Sequence, residues 1–168
     1  DAGNAGAEGV AEFDLNSTGD ALNIDGVSYS FPVGDKTSVL VGAQGTDGSA
    51  IFTTACTYGG PSNTLDDCGN VSSAFGSMSG SSVGVRYAVT DEFSIAAGYA
   101  GNGTDSAKGL MTSEGLDATG FNAAYSTDTY GLSVTYASVE TALAKPAGSY
   151  ADSSIALNGY FSPEGFPS

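Results

Sequence analysis

Histidine and tryptophan are absent, and only 4 lysines and arginines stand against 19 aspartates and glutamates, a formal charge of −15 over 168 residues. A chain so poor in cations cannot neutralise a phosphate backbone, which excludes nucleic acid as a partner. Without histidine, and with no Gly-x-Ser-x-Gly pattern, the usual nucleophile–base pairs cannot be assembled, so the reading is a protein that is not an enzyme. The adjacent acids Asp66–Asp67 and Asp91–Glu92 could in principle work as acid and base, but they sit in turn-like contexts with no apolar pocket around them. Phosphate-loop and EF-hand patterns are also missing, and no cofactor is expected. Asn16, Asn70 and Asn102 open Asn-x-Ser/Thr tripeptides of a kind that chance supplies often. No run approaches the roughly 18 apolar residues of a transmembrane helix, which excludes helical spans and leaves β-barrels open. The chain opens on Asp1, with no methionine and no basic-then-apolar leader, and reads as a processed or trimmed product.

Cysteine is scarce too: Cys56 and Cys68 are the only two, and the intervening TYGGPSNTLDD is loop chemistry throughout. A disulfide closing such a loop stabilises by about 3 kcal/mol in the chain-entropy model and implies an oxidising compartment. A metal site would need histidine or a second cysteine pair, so the expectation is a Cys56–Cys68 disulfide and no metal.

What the chain has is period-two alternation. Only 14% of its residues are charged and 25 are glycine, a composition that would suit disorder if the apolar residues were scattered. They are not scattered. Ser82–Gly101 reads as a hairpin: Val83, Val85, Tyr87 and Val89 share one face of its first arm, Phe93, Ile95, Ala97 and Tyr99 one face of its second, with Thr90, Asp91 and Glu92 between. The opposite faces carry Gly, Ala, Ser and Arg86, the one basic residue in any predicted strand. The same alternation predicts seven strands over about 21–33, 37–44, 82–89, 93–101, 118–126, 130–138 and 153–161. A weak additional strand is expected near 11–15, and Phe166–Ser168 resembles the opening of an eighth. Short turns at Gly34–Lys36, Thr90–Glu92 and Thr127–Thr129 alternate with long loops over 45–80, 102–117 and 139–152. Aromatic residues flank the turns: Tyr87 and Phe93, Tyr125 and Tyr130, Tyr160 and Phe166.

Short turns on one rim, long loops on the other, rim aromatics and an apolar/small alternation together predict an all-β, antiparallel transmembrane β-barrel. With the large apolar face toward lipid, Arg86 faces the lumen, where its charge costs little; at the hydrocarbon midplane it would cost about 2–4 kcal/mol. The pore-lining candidates are then Arg86, Gln44, Ser94, Asn122, Ser133, Thr135 and Asn158. Such inward residues are too small to fill a narrow barrel, which predicts a segment of a larger one of roughly 16 strands. Asp47, Asp66, Asp67, Asp105, Glu114, Asp117, Glu140 and Asp152 fall in the predicted long loops, where fixed negative charge enriches cations. Asp66 and Asp67, on the Cys56–Cys68 loop, are the constriction candidates. The competing reading is a secreted or cell-surface acidic β-sandwich serving binding or adhesion, with no channel.

The segments GVSYSFPVGDKTSVLVGA, SSVGVRYAVTDEFSIAAGYAG, TYGLSVTYAS and ALNGYFSPEGFPS resemble the C-terminal barrel region of cyanobacterial outer-membrane porins, a branch of the carbohydrate-selective porins also described as iron-uptake porins. The likeness spans roughly Ala21 to Ser168 and rests on strand-turn-strand patterns. It implies a homotrimeric channel in the cell outer membrane, surrounded by lipid and passing inorganic ions and small hydrophilic solutes. That family's N-terminal surface-layer-homology domain and coiled coil are absent from this sequence, which suits a fragment.

Overall fold

The computed structural model describes residues 26–55, 74–75, 80–102, 111, 116–141 and 150–163. They build one antiparallel sheet whose strands lie side by side in chain order: β1 (Val27–Val33), β2 (Thr37–Thr46), β3 (Gly80–Ala88), β4 (Phe93–Asn102), β5 (Leu116–Ser126), β6 (Tyr130–Thr141) and β7 (Tyr150–Phe161). β1 and β7 are its two edges, and the sheet does not close on itself among the described residues. No described helix is long and apolar enough to cross a membrane, which says nothing of strands.

Turn chemistry explains the three tight connections. Gly34 sits at φ 68, the left-handed region that a residue without Cβ enters freely. At the β3–β4 turn the Thr90 hydroxyl accepts from the backbone N–H groups of Glu92 (3.2 Å) and Phe93 (3.0 Å). Thr127 repeats the device at β5–β6, accepting from Thr129 (3.3 Å) and Tyr130 (3.1 Å). The ladder continues beyond the turns, with Ala88 N–H donating to Lys36 C=O at 2.8 Å and Ser126 N–H to Glu92 C=O at 2.9 Å. All three tight turns therefore line one rim of the meander, and the long connections leave the strands at the other.

Seven strands lie at the expected places, the first described over Val27–Val33 of its expected 21–33, and the strand ends bordering long connections run further than alternation suggested. Asp117 pairs with Gly101, Glu140 with Ala151 and Asp152 with Val139, so three of the acids expected in loops belong to strands. Ladder hydrogen bonds are made by the backbone, and polar side chains at a strand end do not prevent them. The weak strand near 11–15, the start of an eighth strand and the Cys56–Cys68 segment lie outside the described residues.

The sheet has an inverted look for a protein in water. One face, here the open face, carries the large apolar side chains; Phe121 is 56% exposed, Leu132 57%, Leu157 64% and Ile155 70%. The other, the covered face, carries small and polar residues, and there Ser94, Ala96, Ala118, Ala124, Asn122, Ser133 and Thr135 are buried. What buries them is the chain itself. The β2–β3 connection turns through a short 3₁₀ helix, Gly48–Ile51, and lays Ile51, Phe52 and Ala55, with Ala74 and Phe75 further on, against this face. The core therefore sits between the sheet and its own connection, with Phe52 and Phe75 meeting edge to face at 6.0 Å.

Candidate functional site

Register explains where the connection docks. Cross-strand pairing places Gly84, Gly98 and Gly120 side by side on β3, β4 and β5, in one row across the covered face. Three adjacent strands lacking side chains at one level form a trough. A Cβ on Gly120 would stand 2.7 Å from Cε2 of Phe75, and one on Gly84 would stand 2.7 Å from Cγ2 of Ile51. At Gly98 the obstruction is the Gly48 carbonyl, a backbone group that cannot rotate away. These glycines are where one backbone approaches another. Their small size, read from the sequence as a sign of a wide lumen, is accounted for by this docked segment and carries no information on strand number.

Polar side chains in the neighbouring rows hold the segment down. Asn122 grips Thr53 as a second strand would: Thr53 N–H donates to Oδ1 (3.0 Å) and Asn122 Nδ2 donates to Thr53 C=O (3.1 Å). Nδ2 also donates to Thr135 Oγ1 at 3.0 Å, so the buried amide is satisfied on both ends. Arg86 Nε donates to Thr53 Oγ1 (2.9 Å), and the Thr53 and Ser94 hydroxyls share a hydrogen bond at 3.1 Å. Ala55 N–H donates to Ser133 Oγ (3.1 Å), and Ser154 Oγ donates to the Ala74 carbonyl (2.6 Å). At the segment's entry Asp47 caps the 3₁₀ helix, accepting from both the N–H and the hydroxyl of Ser49 at 2.7 Å.

The sequence-derived site residues divide accordingly. Ser94, Asn122, Ser133 and Thr135 lie on the covered face as expected, yet they are buried beneath the connection and serve as its anchors. Arg86 is half-buried on the same face and borders a cavity of about 470 Å³ together with Ser30, Ser38, Leu40 and Thr53. Asn158 is half-buried and pairs with Ser133 across β6–β7. Gln44 belongs to β2, and its side chain, like Asp66, Asp67, Cys56 and Cys68, lies outside the described residues. Thr53 and the glycine row escaped the sequence reading. Strand spacing from the turns could have aligned the glycines, whereas nothing local marks Thr53 as an anchor.

The open face has its own order. Tyr125 and Tyr130 stack at 5.9 Å beside the β5–β6 turn, and Tyr29 and Phe31 at 5.5 Å on β1. Toward the long-connection rim the same face turns polar. Along β6 the outward series Tyr130, Leu132, Val134, Tyr136 passes into Ser138 and Glu140. On β4 the Tyr99 hydroxyl donates to Asp117 (3.1 Å) and accepts the Met111 N–H (2.9 Å). Among the described residues no group of histidine, cysteine, aspartate or glutamate is arranged to hold a metal. No protein-family model, curated protein or solved structure matches the chain.

Proposed function

We propose that this chain is part of an outer-membrane porin of the cyanobacterial type, a passive channel for inorganic ions and small hydrophilic solutes. The observation that carries this reading is the open face. Its apolar run on β6, Tyr130 to Tyr136, covers about 20 Å of strand at roughly 3.4 Å per residue. Seven strands spaced about 4.8 Å apart extend that band across about 29 Å. In plan alone the band reaches about 600 Å², the upper end of the largest apolar patch on soluble monomers, before side-chain relief is added. A bilayer removes the cost of such a surface, and the polar and aromatic borders match the two interfaces of a barrel wall.

The covered face then looks into the lumen, and the docked connection narrows it, with the Cys56–Cys68 loop and its Asp66–Asp67 pair continuing from the same segment. The two sheet edges, unpaired among the described residues, suit inclusion in a larger barrel of about 16 strands, a common porin size, and trimers are the expected assembly. The charge of −15 favours mild cation preference. A β-sandwich module is less well supported, because a sandwich turns its large apolar face inward and here that face is outward. Reconstitution into planar bilayers under a salt gradient tests the channel: ohmic steps with a cation-direction reversal potential, reduced by Asp66→Asn plus Asp67→Asn, are expected. A monodisperse monomer in detergent-free buffer with no conductance defeats it.

A further inference from the structure

We infer that Arg86 and its cavity form a binding subsite for a small oxyanion such as phosphate, sulfate or a short carboxylate. Arg86 is the chain's only arginine and the only basic residue in any of the seven strands. A guanidinium offers five N–H donors in a planar fork. Here Nε–H is committed to Thr53 Oγ1, and among the described residues Arg86 makes no other hydrogen bond or ion pair. The remaining four donors are on the two Nη atoms, and Arg86 lines the cavity of about 470 Å³ together with Ser30 and Ser38.

Three features make this a prepared site and not a solvated charge. The Nε bond to Thr53 fixes the plane of the fork, and Thr53 is itself clamped by the buried Asn122, so the fork's position is set by the docked segment. Ser38 lies directly opposite Arg86 in the β2–β3 register, placing a hydroxyl on the same face one strand away. Ser30 adds a second hydroxyl from β1 at the cavity wall. A fork with paired Nη donors matches two oxygens of a phosphate, sulfate or carboxylate, and the hydroxyls can donate to a third; a halide offers no second oxygen to the fork. The subsite does not require the sheet to be part of a barrel, so it stands or falls separately from the porin reading.

The single arginine supplies its own reporter. In the uniformly ¹⁵N-labelled full chain the arginine Nε–Hε region holds one side-chain resonance, that of Arg86. Titration with inorganic phosphate or sulfate at constant ionic strength is expected to move this resonance along a saturating curve, and chloride to leave it in place. Arg86→Lys, which keeps the charge and loses the fork, is expected to weaken phosphate binding at least about tenfold by calorimetry, and Arg86→Gln to abolish it. Equal, non-saturating shifts with chloride and phosphate overturn the subsite. So does a resonance that responds only after Asp66→Asn plus Asp67→Asn, since the fork is then occupied by the chain's own carboxylate. Saturable binding without conductance leaves the subsite in place and removes the porin, and conductance without binding does the reverse.

Discussion

Replacing Gly98 with alanine adds one methyl group at a point where the docked connection lies directly against the sheet. The new Cβ would fall on the Gly48 carbonyl and 3.1 Å from Cε1 of Phe52. The phenyl ring can give by a few tenths of an ångström; the carbonyl cannot without moving the 3₁₀ helix. Overpacking of this kind costs about 1–3 kcal/mol. The strain falls on the contact between connection and sheet, while the β3–β4 and β4–β5 ladders around Gly98 stay paired with Gly84 and Gly120. The docked-to-released ratio of the 48–55 segment should therefore drop about 5- to 150-fold, with the sheet's own stability little changed. Limited proteolysis in detergent reads the released fraction, and amide hydrogen exchange of β4 and β5 reads the sheet. Gly159→Ala is the control, because its Cβ would meet nothing nearer than 3.3 Å, on β6 beside it. Cleavage of the segment at the wild-type rate in Gly98→Ala would refute the docking argument, as would equal loss of protection in segment and sheet.

Two further outcomes follow from the same geometry. Asn122→Leu keeps the branched shape of the side chain and removes both bonds to the Thr53 backbone; leaving those groups unpaired should cost about 1–3 kcal/mol, read as faster proteolysis between 48 and 55 than in wild type. Val134→Arg, on the open face of β6 where valine is 39% exposed, should cost about 2–4 kcal/mol in a bilayer if it lies near the midplane. In water an exposed substitution there should stay within about 0.5 kcal/mol, so refolding into vesicles against urea separates the two surroundings.

The strands, their faces and the three tight turns were legible because side-chain alternation and turn residues act locally. Val83, Val85 and Tyr87 fall on the open face and Ser82, Gly84 and Arg86 on the other, as the spacing requires. Strand ends were not legible. Asp117 and Glu140 look like loop residues one at a time, and only their backbone pairing places them in β5 and β6. The docked connection was also hidden, since its trough exists only when Gly84, Gly98 and Gly120 come into register across three strands. Arg86 shows both sides of this. Its face could be read from period two, whereas its bond to Thr53, 33 positions away in the chain, could not.

If the sheet is part of a barrel wall, its open face meets lipid, and spin-label accessibility measures that contact. A keto amino acid introduced by amber suppression carries the label and leaves Cys56 and Cys68 untouched. In reconstituted vesicles, labels replacing Val85, Ile95, Phe121 and Val134 should be relaxed strongly by oxygen and weakly by a water-soluble nickel chelate. Labels replacing Ala96 and Ala124, on the covered face of the same strands, should lack that oxygen preference. Nickel-chelate accessibility at the first four positions equal to that of a label at Asp91 in the exposed β3–β4 turn would place the open face in water and rule out a barrel wall.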